Sequence, residues 1–257
     1  MNKEKYTLRI YRGVPGNQYW EEFELERSAS ANVISSLMAI QTNPINKEGK
    51  ATTPVAWEQG CLEEVCGSCS MLVNGRPRQA CTALIEDIIN EGCSTTITLA
   101  PFTKFPLVRD LCVDRTKMFE SLKKVRAWVS VDGTWDTTKQ FGQKVGPEVQ
   151  EALYVLSTCM TCGCCSESCP QVNDHSPFIG PAPVSQARLF NAHPGGEYEK
   201  PERLRALLDE DGISGCGNAQ NCAKVCPKKI PLTESIALIG KETMKQAIKD
   251  ALKLPDT

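Results

Sequence analysis

The chain has 257 residues, 41% of them hydrophobic and 23% charged, with a formal net charge of −2. Such a length suggests about two domains, and the absence of a basic excess argues against a nucleic-acid partner. The opening MNKEKYTLRIYRG lacks the apolar stretch of a signal peptide, and VISSLMAI is broken by Ser35 and Ser36 well short of a spanning helix, so the expected setting is the cytoplasm.

YTLRIYR (6–12) and EEFELE (21–26) read as strands, the second alternating apolar with charged residues. Gly13, Pro15, Gly16 and Asn17 lie between them and predict a hairpin with a long loop. Residues 30–42 place Val33, Ile34, Leu37, Met38 and Gln41 at helical spacing, with Ser30 or Asn32 as the N-cap. Asn74-Gly75, between short β-rich segments of 70–81, is a strong hairpin signal. TTITLAP (95–101) predicts another strand, stopped by Pro101. These elements suit a small mixed sheet packed on one helix.

PFTKFPLVR (101–109) carries two prolines and reads as a linker. Residues 109–129 then set Val113, Met118, Leu122 and Val125 among charges, an amphipathic helical pattern. A polar stretch with Gly133, Gly142, Gly146 and Pro147 follows, and helical patterns recur at 147–158, 183–192, 201–209 and 231–252. The reading is α+β, with one domain over 1–108 and a mainly α domain over 109–257.

Fourteen Cys demand an explanation. Disulfides do not persist in the cytosol, and a chain this long can bury a core without staples. Clustered Cys there points to metal binding. Cys61, Cys66 and Cys69, with Cys81 further on, give C-x-x-x-x-C-x-x-C plus a distant Cys, the spacing of plant-type [2Fe–2S] ferredoxins. Gly60, Gly67, Ser68 and Ser70 keep the loop small enough for backbone N–H groups to approach the sulfurs. A four-Cys zinc site would more often show paired knuckles.

Cys159, Cys162, Cys165, Cys169 and Pro170 form C-x-x-C-x-x-C-x-x-x-C-P, the bacterial-type run whose fourth Cys ligates the other of two clusters. Cys216, Cys222, Cys226 and Pro227 repeat it, with Ala219 where the second Cys would stand. Crossed ligation assigns Cys159, Cys162, Cys165 and Cys226 to one cluster, and Cys169, Cys216 and Cys222 to the other. Alanine offers no lone pair, so the expectation is [4Fe–4S] at the former and [3Fe–4S] at the latter. Cys165 is preferred to Cys164 because it keeps the register of the two runs. Cys93, Cys112 and Cys164 are expected to be buried free thiols.

With these motifs on either side of one chain, the sequence resembles the iron–sulfur subunits of succinate dehydrogenase and fumarate reductase. The likeness spans TPVAWEQGCLEEVCGSCSMLVNGRPRQACTALI, FPLVRDLCVDRTKMFESLKKVRAWV and FIGPAPVSQARLFNAHP, and is nearest the menaquinone-linked type of Bacillus-like bacteria. It implies a β-grasp [2Fe–2S] domain followed by a helical two-cluster domain. It also implies a flavoprotein partner with FAD, a membrane-anchor cytochrome with haem b, and electron flow from the flavin through the three clusters to quinone. The subunit would sit peripherally on the cytoplasmic side of the membrane. QVND after Pro170 and Gly217 after Cys216 stand where ubiquinone-linked relatives carry tryptophans and a histidine, which favours menaquinone. The sequence has no G-x-G-x-x-G after a strand, so flavin chemistry falls to a partner. A glycerol-phosphate dehydrogenase subunit is the weaker alternative, because it does not account for the plant-type loop joined to the Ala219 run.

His175 and His193, the only histidines, read as ordinary residues and not as Rieske ligands. Glu63 and Glu64 read as a solvated part of the first Cys loop, and Lys228 and Lys229 as water-facing. Plant-type centres lie near roughly −400 mV, too low for succinate to fill, so hydrogen bonding and burial must raise this one.

Overall fold

In a computed structural model, which describes residues 4–130 and 145–256, the first strand shows the period-2 burial of a half-buried sheet. Strand β1 (Lys5–Val14) turns Tyr6, Leu8, Ile10 and Arg12 inward. It pairs antiparallel with β2 (Asn17–Glu26) along its whole length, from Lys5 opposite Glu26 to Val14 opposite Asn17. The expected long loop is thus only Pro15-Gly16. Proline fixes the first turn position, and Gly16, at φ +80°, supplies the left-handed second one.

Helix α1 (Val33–Thr42) starts at Asn32, whose side chain accepts from Ser35 N at 2.8 Å while the Ser35 hydroxyl accepts from Asn32 N at 2.9 Å. Val33, Ile34, Leu37 and Ile40 face the sheet, but Met38 is 47% exposed and Gln41 also faces solvent. The buried stripe is centred on Val33, Leu37 and Ile40, so the positions one residue further round point outward.

β3 (Ser70–Val73) and β4 (Arg76–Gln79) are joined by Asn74 at φ +49° and Gly75 at φ +73°, the two left-handed residues a two-residue hairpin requires. α2 (Ile85–Gly92), which the sequence reading did not single out, buries Ile85, Ile88 and Ile89. With β5 (Thr96–Ala100) the sheet has the order β2-β1-β5-β3-β4, the β1–β5 pair being parallel and the others antiparallel. One core joins its inner face to α1 and α2.

The 101–129 region differs from its sequence reading. β6 (Leu107–Arg109) and β7 (Cys112–Val113) form a small hairpin, and helix α3 covers only Thr116–Lys124. Val113 is therefore a strand residue. Buried Asp110 holds the hairpin, accepting from Gly13 N at 2.7 Å and Ala56 N at 2.8 Å and facing Arg12. The polar stretch with Gly133 and Gly142 lies outside the described residues.

Over the described residues the chain divides into two compact units. The first runs to Arg115 and takes in Met160–Glu167; the second comprises Thr116–Cys159 and the chain from Ser168. The short helix α5 (Cys164–Ser168) belongs to the first unit as far as Glu167, which accepts from Thr103 N, the Thr103 hydroxyl and Lys104 N at 3.0, 2.7 and 3.1 Å. The second unit contains α4 (Pro147–Ser157), α6 (Pro181–Ala192), α7 (Lys200–Ala206), α8 (Asn221–Val225) and α9 (Leu232–Ala251). Its core gathers Val125, Phe178, Val184, Ala187, Leu207 and Ile239. Among the described residues no helix is long and apolar enough to cross a membrane.

Candidate iron–sulfur centres

The loop before β3 curls tightly because Leu62, Glu64 and Gly67 all take positive φ. That curl turns backbone donors inward. The N–H groups of Glu63, Val65 and Cys66 reach Cys61 Sγ at 3.3, 3.2 and 3.2 Å, and Cys61 N reaches Cys66 Sγ at 3.3 Å. Such a donor set suits sulfur that carries negative charge. The Ser68 hydroxyl, with the N–H groups of Cys61 and Ser68, lowers the Cys66 thiol to about 6. Cys69 and Cys81 are buried side by side, and burial, reinforced by Cys69, pushes Cys81 up to about 12. The Cys61 charge acts on Cys81 in the same direction. The fold thus gathers the four expected Cys of the first centre.

Two details define the cradle. A Cβ on Gly60 would stand 2.9 Å from Cys66 Sγ, so a larger residue there would have to displace that sulfur. Arg115 donates to the carbonyls of Gly67 and Ser68 at 2.9 and 3.0 Å, placing a guanidinium under the loop. Its buried Nε has no hydrogen-bond partner among the described residues. Sequence reasoning missed Arg115, and no local signal in its surroundings marks it.

Cys162, Cys164 and Cys165 are carried into the first unit by Met160–Glu167. The Cys164 side chain, its backbone N–H and the Arg115 charge lower Cys162 to about 7 against the opposing effect of burial. Cys164 is fully buried and its thiol is pushed up, first by Cys162 and then by burial. A Cβ on Gly67 would meet Cys162 Cα and Cβ at 2.9 Å, and Gly67 sits at φ +75°. Gly67→Ala therefore combines a left-handed alanine with a backbone collision. Together these should cost roughly 2–4 kcal/mol, read as a lower melting point with reduced iron retention.

In the second unit Cys159 N donates to Leu156 O at 3.3 Å, at the end of α4, and Cys226 Sγ accepts from Ile230 N at 3.4 Å. Cys169, Cys216 and Cys222 line a cavity with roughly 350 Å³ of unfilled space, part of it open to solvent. Ala219 lines it too, held between Asn218 at φ +52° and Gln220 at φ +60°. Asn221 ties this loop to the first run by donating to Ser168 O at 3.2 Å. Burial raises the Cys222 thiol, and the neighbouring Cys169 and Cys216 add to the effect. Gathering three thiols around Ala219 fits a group that needs three protein ligands.

Among the described residues, no three His, Cys, Asp or Glu side chains converge as the ligands of one metal ion do. Clusters distribute their thiolates over several irons and need no such convergence. Cys93 is exposed, not buried as expected, and caps the end of α2 in a left-handed conformation. Cys112 is partly buried; burial, then Glu58 and Asp110, push it up to about 11. His193 accepts from Gly195 N at 3.1 Å and the backbone N–H of His175 donates to Asn173, both local roles.

Residues 7–120 match the model of the 2Fe-2S iron-sulfur cluster binding domain, and 155–230 that of the 4Fe-4S dicluster domain. The chain is 54% identical to the succinate dehydrogenase iron-sulfur subunit of Bacillus subtilis over 232 residues, covering 90% of this chain and 89% of that one. This chain belongs to the iron–sulfur subunits of the succinate dehydrogenase and fumarate reductase family. The fumarate reductase iron-sulfur subunit of Wolinella succinogenes is 28% identical over 92% of this chain and 96% of its own length. A chain of the Mycobacterium smegmatis Sdh1 complex in the apo form shares the fold, with a TM-score of 0.79 and 23% identity over 95% of this chain and 97% of that chain. Membership makes this an electron-carrying subunit of an oxidoreductase, with [2Fe–2S] and [4Fe–4S] binding domains.

Proposed function

We propose that this chain carries electrons in a succinate:menaquinone oxidoreductase, from an FAD-bearing flavoprotein to quinone held near a haem b membrane anchor. It does so peripherally, on the cytoplasmic side of the membrane. Cys61, Cys66, Cys69 and Cys81 hold [2Fe–2S]; Cys159, Cys162, Cys165 and Cys226 hold [4Fe–4S]; Cys169, Cys216 and Cys222 hold [3Fe–4S]. The observation that carries the reading is the presence of Ala219 among three Cys in one cavity, in a chain 54% identical to a succinate dehydrogenase subunit. The weaker similarity to fumarate reductase subunits, 28% in Wolinella succinogenes, favours succinate oxidation as the working direction. QVND and Gly217 support menaquinone.

The intact complex should hold about nine non-haem iron atoms per copy of this chain. Electron paramagnetic resonance should show a three-iron signal when oxidised and a [2Fe–2S] signal when reduced. Turnover with a menaquinone analogue should be faster from succinate than towards it. A zinc-loaded, colourless protein would refute the cluster assignment, and faster fumarate reduction would reverse the direction.

A further inference from the structure

Gln79 is 1% exposed and lies on β4, two residues before Cys81 and directly opposite Ser70. Its carboxamide touches three side chains. Cys69 Sγ donates to Oε1 at 3.5 Å, while Nε2 donates to Ser70 Oγ at 2.7 Å and to Cys164 Sγ at 3.6 Å. The Ser70 hydroxyl spends its one proton on Gly67 O at 2.6 Å. The pattern is self-consistent only while Cys69 carries a proton.

A ligand thiolate cannot donate. With Cys69 on iron, Oε1 would set its lone pairs against a negatively charged sulfur inside the core. The two ends of a carboxamide have nearly the same shape, so turning it over requires no movement of the surrounding backbone. Nε2–H then points at Cys69, a charge-assisted bond roughly twice as strong as a neutral one. Oε1 accepts from Ser70, whose hydroxyl can leave Gly67 O because Arg115 still donates to that carbonyl at 2.9 Å. The turn gives up only the long Nε2 bond to Cys164 Sγ at 3.6 Å.

We infer that in the cluster-loaded protein Gln79 donates a side-chain N–H to the Cys69 sulfur and thereby raises the potential of the [2Fe–2S] centre. This rests on Cys69 being a ligand of that centre. Hydrogen bonds to cluster sulfurs favour the reduced, more negative state. Gln79 is a positioning residue: it exchanges no electron and tunes the centre through its ligand. The demand it answers is the low potential of an unadjusted plant-type centre, roughly −400 mV, which succinate could not fill.

The test uses the intact complex with ¹⁵N at glutamine side-chain amides. The reduced [2Fe–2S] signal should show a ¹⁵N hyperfine coupling that Gln79→Leu abolishes. In Gln79→Leu the midpoint potential should fall by about 59 mV or more, a tenfold loss in the ratio of reduced to oxidised centre at fixed poise. A wild-type signal without the ¹⁵N coupling overturns the inference, even if the variant fails to assemble. So does an unchanged potential in an assembled Gln79→Leu. Failure of the underlying assignment looks different: the wild-type complex would give no [2Fe–2S] signal at all.

Discussion

Ala219→Cys is expected to convert the proposed three-iron cluster into a four-iron one. Cys169, Cys216, Cys222 and Ala219 line one cavity, so the new thiol would enter the wall from which the fourth ligand is missing. The curl at Asn218 and Gln220, with φ of +52° and +60°, fixes where residue 219 points, and a Cys there requires no change of backbone. Non-haem iron should rise from about nine to about ten atoms per chain. The three-iron signal of the oxidised protein should vanish, with a reduced [4Fe–4S] signal in its place. Changing the cluster type should lower the potential at this position, because type and net charge are principal determinants of it. Transfer to quinone should slow by an order of magnitude or more, while flavin-side reduction of the first centre stays intact. An unaltered three-iron signal with a titratable extra thiol would mean that residue 219 does not face the open corner of the cluster.

The legible parts of this chain are those whose physics is local. Asn74-Gly75 makes its hairpin because both residues tolerate left-handed φ, and Asn32 caps α1 because Ser35 lies three residues on. The Cys runs are equally local, since their chemistry is encoded in spacing. The helix expected over 109–129 failed for a nonlocal reason. Asp110 is held by Gly13 and Ala56, 97 and 54 residues away, and those bonds draw Cys112–Val113 into a hairpin. No periodicity within 109–129 encodes them. Arg115 and Gln79 were illegible likewise, because their partners Gly67 and Cys164 lie 48 and 85 residues off.

Arg203→Ala should strongly destabilise the second unit, by roughly 3–5 kcal/mol. Arg203 is 0% exposed, so its charge survives burial only through its partners. Nε donates to Arg126 O at 2.9 Å, Nη2 to Trp128 O at 2.9 Å and Glu199 at 3.2 Å, and Nη1 to Gly196 O and Asn191. One guanidinium thus ties the chain after α3 to the segment that follows α6. Removing it leaves the carbonyls of Arg126, Trp128 and Gly196 without that donor; the buried Gly196 carbonyl loses most, about 1–3 kcal/mol, and the part-buried Arg126 and Trp128 carbonyls less, because water can reach them. Glu199 suffers less, because Arg126 and Ser130 still donate to it at 2.9 and 2.8 Å. Arg203→Lys restores the charge but not the fork and should recover less than half of the loss. The effect should reach the three-Cys cavity, because Pro181 at the start of α6 lines it and α6 is anchored at its other end by the Arg203 contacts. The check is a pair of measurements on the same complex, chemical denaturation followed by fluorescence and the three-iron signal during dilution. Arg203→Ala should lose that signal at lower denaturant than wild type, while the reduced [2Fe–2S] signal persists to the wild-type concentration. Simultaneous loss of both signals would mean that the two units unfold as one, and that Arg203 stabilises the whole chain and not the cavity-bearing half alone.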